Sequence, residues 1–208
     1  MKFPERGLYA ITQTDNKSAE TVIDEVGAAI KGGAVAVQYR DKNPQDQHFL
    51  GGELVRLCHQ YGVPLIINDD IELAATLGAD GVHLGKDDSD IIQAKNRLGS
   101  DAIIGVSCYN SIDRALNLQN QGATYVAFGR FFSSSSKPLA APADIETLQH
   151  AKHLLHIPIV AIGGILPENG LHLLNAGADL LAVIGGLFDT QLQQSAANYH
   201  ALFHHKSP

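Results

Sequence analysis

Residues 64–88 read PLIINDDIELAATLGADGVHLGKDD, and this stretch decides the fold. Two short apolar runs, PLIIND and GVHLG, have the length and composition of buried strands, and the segment between them fits one helix ending at Gly78. A β-α-β unit results, with carboxylates at both strand exits: Asp69 after the first and Asp88 just past the second. Parallel neighbours run about 4.8 Å apart, so two such carboxylates can converge on one ion.

The same alternation recurs on both sides. Before it lie GLYAIT (7–12), a helix opened by Ser18, VAVQYR (35–40) and a helix from about Gln45 to Tyr61. After it come helix 91–98, IIGVSC (103–108), helix 112–121, YVAFG (125–129), helix 145–155, PIVAIGG (158–164), a Pro167-led helix to Ala176, LLAVIGG (180–186) and a last helix over 191–203. Eight β and α units predict an α/β fold of the (β/α)8 TIM-barrel type, one domain spanning 1–208. An open doubly wound sheet is the competing architecture. The turn words KGGAVAV, LGADGVHL, QGATYVAF and AGADLLAV each end a helix at Gly or Ala-Gly before the next strand.

Composition narrows function by exclusion. Charged residues make up 18% and the net charge is -7, which argues against a nucleic-acid partner, since a phosphate-tracking surface needs a basic excess. The opening MKFPERG has no apolar leader and no later apolar run reaches a membrane span, so a cytoplasmic protein without a membrane partner is expected. Cys58 and Cys108 lack metal-ligand spacing and read as buried small hydrophobes. The paired His204 and His205 read as a solvated tail.

Barrel enzymes carry their chemistry at strand C-termini. Those positions offer Gln38, Arg40 and Lys42, then Asn68 and Asp69, then Asp88, then Ser107, then Ser134, Ser136 and Lys137, and finally Gly163, Gly164, Gly185 and Gly186. Glycine pairs after strands seven and eight suit a phosphate, because bare N–H groups approach the oxygens without a Cβ in the way. Arg40, Lys42 and Lys137 supply positive charge for a second, more highly charged phosphate group, and Asp69 with Asp88 supplies hard oxygen ligands for Mg²⁺. His83 reads as a packed, hydrogen-bonded residue. No His pairs with Ser107 or Cys108 in a nucleophile motif, and no dinucleotide fingerprint is present.

With VQYRDK, IIND, ADGVHLGKDD, GVSCYN, FGRFFSSSSK, AIGGI and AVIGG in this order, the chain resembles the thiamine-phosphate synthases over nearly its whole length. The resemblance implies a Mg²⁺-dependent transferase. It would join hydroxymethylpyrimidine diphosphate to a thiazole phosphate, as such or carboxylated, yielding thiamine monophosphate and pyrophosphate through a pyrimidinylmethyl cation. Gln38, Arg40, Lys42, Asn68, Ser107 and Lys137 would hold the pyrimidine diphosphate, with Arg40, Lys42 and Lys137 catalytic. Asp69 and Asp88 would hold Mg²⁺; Ser134, Ser136, Gly164, Ile184 and Gly185 would hold the thiazole phosphate. The chain departs from the family pattern at Ser134 and Ser136 (usually Thr), Lys86 (commonly Gln), Tyr109 (often His) and Gly185 (frequently Ser). The rivals are a thiazole tautomerase of the same superfamily and a non-catalytic phosphate-binding barrel. Residues 130–143, RFFSSSSKPLAAPA, are expected to form a lid. Whether the chain works alone or as a homo-oligomer is left open.

Overall fold

The computed structural model describes residues 1–85, 90–133, 141–188 and 191–204. Eight parallel strands close into a barrel in sequence order: β1 Gly7–Ile11, β2 Ala34–Tyr39, β3 Leu65–Asn68, β4 Gly81–Leu84, β5 Ile103–Tyr109, β6 Tyr125–Gly129, β7 Ile159–Ile162 and β8 Leu180–Val183. Closure comes from β1 pairing with β8, Leu8 opposite Leu181 and Ala10 opposite Val183. Around them run α1 Ala19–Lys31, α2 Gln47–Gln60, α3 Ile71–Leu77, α4 Ile91–Leu98, α5 Ile112–Asn120, α6 Ile145–Leu154, α7 Pro167–Asn175, a single-turn α8 Gly185–Phe188, and α9 Leu192–Leu202.

Strand residues alternate between two environments, as a period of two requires. Tyr9, Ala36, Ile66, Ile103, Tyr125, Val160 and Leu180 point inward and form one cluster with Phe3, which closes the bottom. Their neighbours Leu8, Ile104, Val126, Ile159 and Leu181 point outward against the helices. Fully burying such a side chain is worth about 1.5–3 kcal/mol, so the alternation fixes which residues face the site above.

The repeated turn words have a double function. Gly78, Gly122 and Gly177 take positive φ at or just after helix ends, where a Cβ is disfavoured. The residue two positions on pins the preceding strand: Asp80 accepts from the Leu65 amide (2.9 Å), Thr124 from Ile104 (3.0 Å) and Asp179 from Ile159 (2.9 Å). Sequence reading missed α8, because one turn is too short to carry a periodic signal. The glycine pair 185–186 therefore opens a helix rather than only ending a strand. Of the expected lid, residues 134–140 lie outside the described residues.

Candidate active site

A cavity of about 500 Å³ opens at the C-terminal ends of the strands. Its wall has two unlike halves. From β2 to β5 it presents Gln38, Arg40, Asn68, Asp69, His83 and Ser107, all polar or charged; from β6 to β8 the strands and their ends present Ala127, Gly129, Val160, Ile162, Ala182 and Ile184, apolar or bare, with Arg130 and Ser133 above them in the loop after β6. The glycine pairs 163–164 and 185–186 sit at the rim of the second half.

Backbone clamps set the polar half. Thr12, itself buried, accepts from the Arg40 amide (2.9 Å) and donates to the Arg40 carbonyl (3.0 Å), fixing the exit of β2. Arg114 on α5 donates from Nε to the Ser107 carbonyl (2.9 Å) and from Nη2 to the Gly85 carbonyl (3.4 Å), tying the exits of β4 and β5 together. The adjacent aspartates after β3 divide their work. Asp70 caps α3 by accepting from the Leu73 amide (2.8 Å), which leaves Asp69 to face the cavity. Asp69 holds φ 60°, a conformation Asp tolerates better than most residues. Its oxygens accept from the Gly85 amide (3.1 Å) and Asn68 Nδ2 (2.7 Å).

Deeper in, side chains form a continuous chain. Gln38 Nε2 donates to the Tyr9 hydroxyl (2.9 Å), which lies 2.8 Å from the Tyr125 hydroxyl; that in turn is 2.9 Å from His83 Nδ1, and His83 Nε2 is 3.0 Å from Ser107 Oγ. Burial holds the Tyr9 and Tyr125 phenols above the ordinary tyrosine range, so both stay neutral. Gly105 makes room for this chain, since a Cβ there would lie 2.0 Å from Tyr125 Cζ. The buried Cys108 thiol is pushed up to about 12 by desolvation and is not a nucleophile.

Comparison with known proteins agrees with this geometry. Residues 8–187 match the family model described as thiamine monophosphate synthase. The chain belongs to the thiamine monophosphate synthase family. It is 50% identical over 201 residues to the thiamine-phosphate synthase of Nitrosococcus oceani, covering 95% of this chain and 93% of that one. It is 48% identical to the thiamine-phosphate synthase of Thiobacillus denitrificans, covering 95% and 94%. Among solved structures, the thiamine phosphate pyrophosphorylase from Pyrococcus furiosus superposes with a TM-score of 0.86 at 30% identity, covering 96% of each chain.

Of the residues that the resemblance to thiamine-phosphate synthases singles out, Gln38, Arg40, Asn68, Asp69, Ser107, Gly164, Ile184 and Gly185 line the one cavity. Lys42 does not: it is exposed in the loop after β2. Asp88, Ser134, Ser136 and Lys137 lie outside the described residues. No nucleophile motif pairs a histidine with Ser107, and the contact that the structure adds is non-local: His83, expected to be packed and hydrogen-bonded, reaches Ser107 across the β4–β5 pair. The other ring nitrogen of His83 faces a phenol rather than a carboxylate, so the pair is not an acyl-transfer triad. Arg130, missed as a site residue, also lines the cavity, as does Tyr109, which the sequence marked only as a departure from the family pattern. Tyr109, exposed and at φ 57°, follows a register shift in the β5–β6 ladder. That irregularity leaves no trace in a periodicity.

The glycines carry a further correction. A Cβ on Gly164 would not enter the cavity first; it would meet the Ser133 carbonyl at 2.4 Å and Phe132 at 2.8 Å, and φ is already 62°. Gly164 is glycine so that the loop after β6 can pack over it.

For a metal, the described residues contain no group of three or more His, Cys, Asp or Glu. Mg²⁺ characteristically takes one or two carboxylates and completes its shell with water and substrate phosphates, so a cavity-facing Asp69 with free lone pairs fits it.

Proposed function

We propose that this barrel joins hydroxymethylpyrimidine diphosphate to a thiazole phosphate, forming thiamine monophosphate and releasing pyrophosphate. The observation that carries the reading is the two-sided cavity: a polar and cationic half suited to a heteroaromatic diphosphate, facing an apolar half with glycine-rich ends suited to a second ring and its single phosphate.

The reaction needs one bond broken and one made. The C–O bond between the pyrimidinylmethyl carbon and the diphosphate breaks, and its electron pair leaves with pyrophosphate. The thiazole nitrogen then donates its lone pair to the methylene carbon. No proton has to be removed, which suits a site whose buried phenols and thiol stay un-ionised. Arg40, which lines the cavity, balances charge growing on the leaving group, and a well-placed donor of this kind contributes roughly 10²–10³ in rate; the family resemblance assigns Lys42 and Lys137 to the same charge. Mg²⁺, held by Asp69 and Asp88, would add Lewis-acid neutralisation of the diphosphate when bound. Gln38, Asn68 and Ser107 orient the pyrimidine. Gly164, Ile184 and Gly185 receive the thiazole phosphate with Ser134 and Ser136; at the start of α8 the Gly185 and Gly186 N–H groups can approach its oxygens without a Cβ in the way, whereas those of Leu187 and Phe188 bond to the Ile184 carbonyl. The apolar wall keeps water from the cation.

The test is incubation of the purified protein with both substrates and Mg²⁺. Thiamine monophosphate and pyrophosphate should appear in equal amounts, and neither when one substrate is omitted. Isomerisation of the thiazole phosphate alone would indicate the tautomerase instead, and phosphate binding without turnover a sensor. Reaction in water puts no membrane in the account, and no helix among the described residues is long and apolar enough to cross one.

A further inference from the structure

The chain from Gln38 to Ser107 joins five residues on five strands, β2, β1, β6, β4 and β5, and its two ends both line the cavity. Its protons can be counted. An amide nitrogen only donates, so the Tyr9 oxygen accepts from Gln38. A neutral phenol has one proton to give.

Suppose Tyr125 donated to Tyr9. The Tyr9 oxygen would then accept twice, and its own proton would have no acceptor among the described residues, although Tyr9 is 1% exposed. Suppose instead that Tyr9 and His83 Nδ1 both donated to Tyr125. The Tyr125 proton would then be stranded in a fully buried side chain. A doubly protonated His83 leads to one of the same two faults. Leaving a buried donor unmet is the costly outcome in either case.

One order uses every proton: Gln38 donates to Tyr9, Tyr9 to Tyr125, Tyr125 to His83 Nδ1, and His83 Nε2–H to Ser107 Oγ. Ser107 then accepts from behind, and its own proton is left to point into the cavity. We infer that Tyr9, Tyr125 and His83 are positioning residues that fix Ser107 as a hydrogen-bond donor toward an unprotonated ring nitrogen of the heteroaromatic substrate. This inference deepens the proposed function and rests on Ser107 contacting the pyrimidine. Three further features hold the chain in place. Phe3 stacks on Tyr125 at 4.0 Å and 8°, Tyr9 meets Tyr125 edge-on at 5.8 Å, and the glycine at position 105 leaves the Tyr125 ring its space.

The test begins on ligand-free, full-length protein labelled with ¹⁵N-histidine, with the His83 signals assigned by their loss in a His83→Gln variant. Long-range ¹H–¹⁵N correlation should show the proton of His83 on Nε2 and none on Nδ1. A proton on Nδ1 overturns the inference and leaves the proposed function standing, since the measurement involves no substrate. Kinetics supply the second arm. Tyr125→Phe removes the proton given to Nδ1, and should raise KM for the pyrimidine diphosphate by about tenfold, the scale of one hydrogen bond, while KM for the thiazole phosphate stays within about twofold. In the Tyr125→Phe background, Ser107→Ala should cost less than it does alone. Equal losses for both substrates, or full additivity of the two substitutions, would reduce the chain to a structural role and overturn the inference. Absence of turnover in the unsubstituted enzyme would count against the proposed function instead, and the tautomer would still be readable.

Discussion

Replacing Gly105 with alanine adds one methyl group where the barrel has no space for it. The new Cβ would lie 2.0 Å from Cζ, 2.3 Å from the hydroxyl and 2.4 Å from Cε1 of Tyr125. The ring has no easy retreat, because it is fully buried, stacked on Phe3 and hydrogen-bonded to both Tyr9 and His83. Overpacking of this kind costs roughly 1–3 kcal/mol, and displacing the ring would forfeit two buried hydrogen bonds at about 1 kcal/mol each. A loss of about 3–5 kcal/mol corresponds to a fall in Tm of roughly 6–20 °C for a domain of this size. Thermal and urea unfolding followed by circular dichroism would measure it. The clash is specific, so Gly105→Ala should be less harmful in a Tyr125→Leu background, with a coupling of about 1–3 kcal/mol. A Gly105→Ala protein within about 0.5 kcal/mol of the parent would refute the packing of Tyr125 against β5, since changes that small are ordinary for sites without contacts.

Asp69→Asn should lower kcat by about 10² or more with little change in Tm, because asparagine also tolerates the positive φ found there; an unchanged rate after Mg²⁺ chelation would sink the metal assignment. Gly164→Ala should destabilise the fold by about 1–3 kcal/mol through the strained φ alone and raise KM for both substrates, whereas an effect confined to the thiazole phosphate would mean that the side chain enters the phosphate site after all. Burial opposes ionisation of Asp80, but the Leu65 amide, the Met1 ammonium and His59 outweigh it and hold its carboxyl below the usual range. A depressed folded pKa stabilises above the unfolded value of about 3.9 and ceases to do so as pH falls through the folded value. Asp80→Asn should therefore lose about 1–3 kcal/mol at pH 7 and converge on the parent in urea melts below about pH 4; a constant gap across that range would contradict the assignment.

Most of the barrel is legible in the sequence, because β-α alternation and the Gly-Ala turn words are local signals. Asp69 and the glycine pairs are legible for the same reason, each lying just past the C-terminal end of a strand. What escapes is non-local. The chain from Gln38 to Ser107 exists only once β1 lies beside β2 and β6 projects its tyrosine across the interior. The signal available was the inward phase shared by Tyr9, Gln38, His83, Ser107 and Tyr125, which a strand-by-strand inventory of exits passes over, since Tyr9 and Tyr125 are not at exits. Arg130 escaped because charge alone does not tell a cavity rim from a surface loop. Lys42 poses the same ambiguity from the other side, since its charge suits the mouth of the barrel while the residue is exposed in the loop after β2 and is not among those lining the cavity.

The central claim is that one cavity holds two substrates side by side on unlike walls. Its most direct test is calorimetric titration of the thiazole phosphate into enzyme already saturated with pyrophosphate and Mg²⁺. The account predicts one thiazole phosphate bound per chain, with pyrophosphate retained and the affinity equal to or better than that of the free enzyme. Displacement of pyrophosphate as the thiazole phosphate binds would mean a single shared site, and would contradict the account.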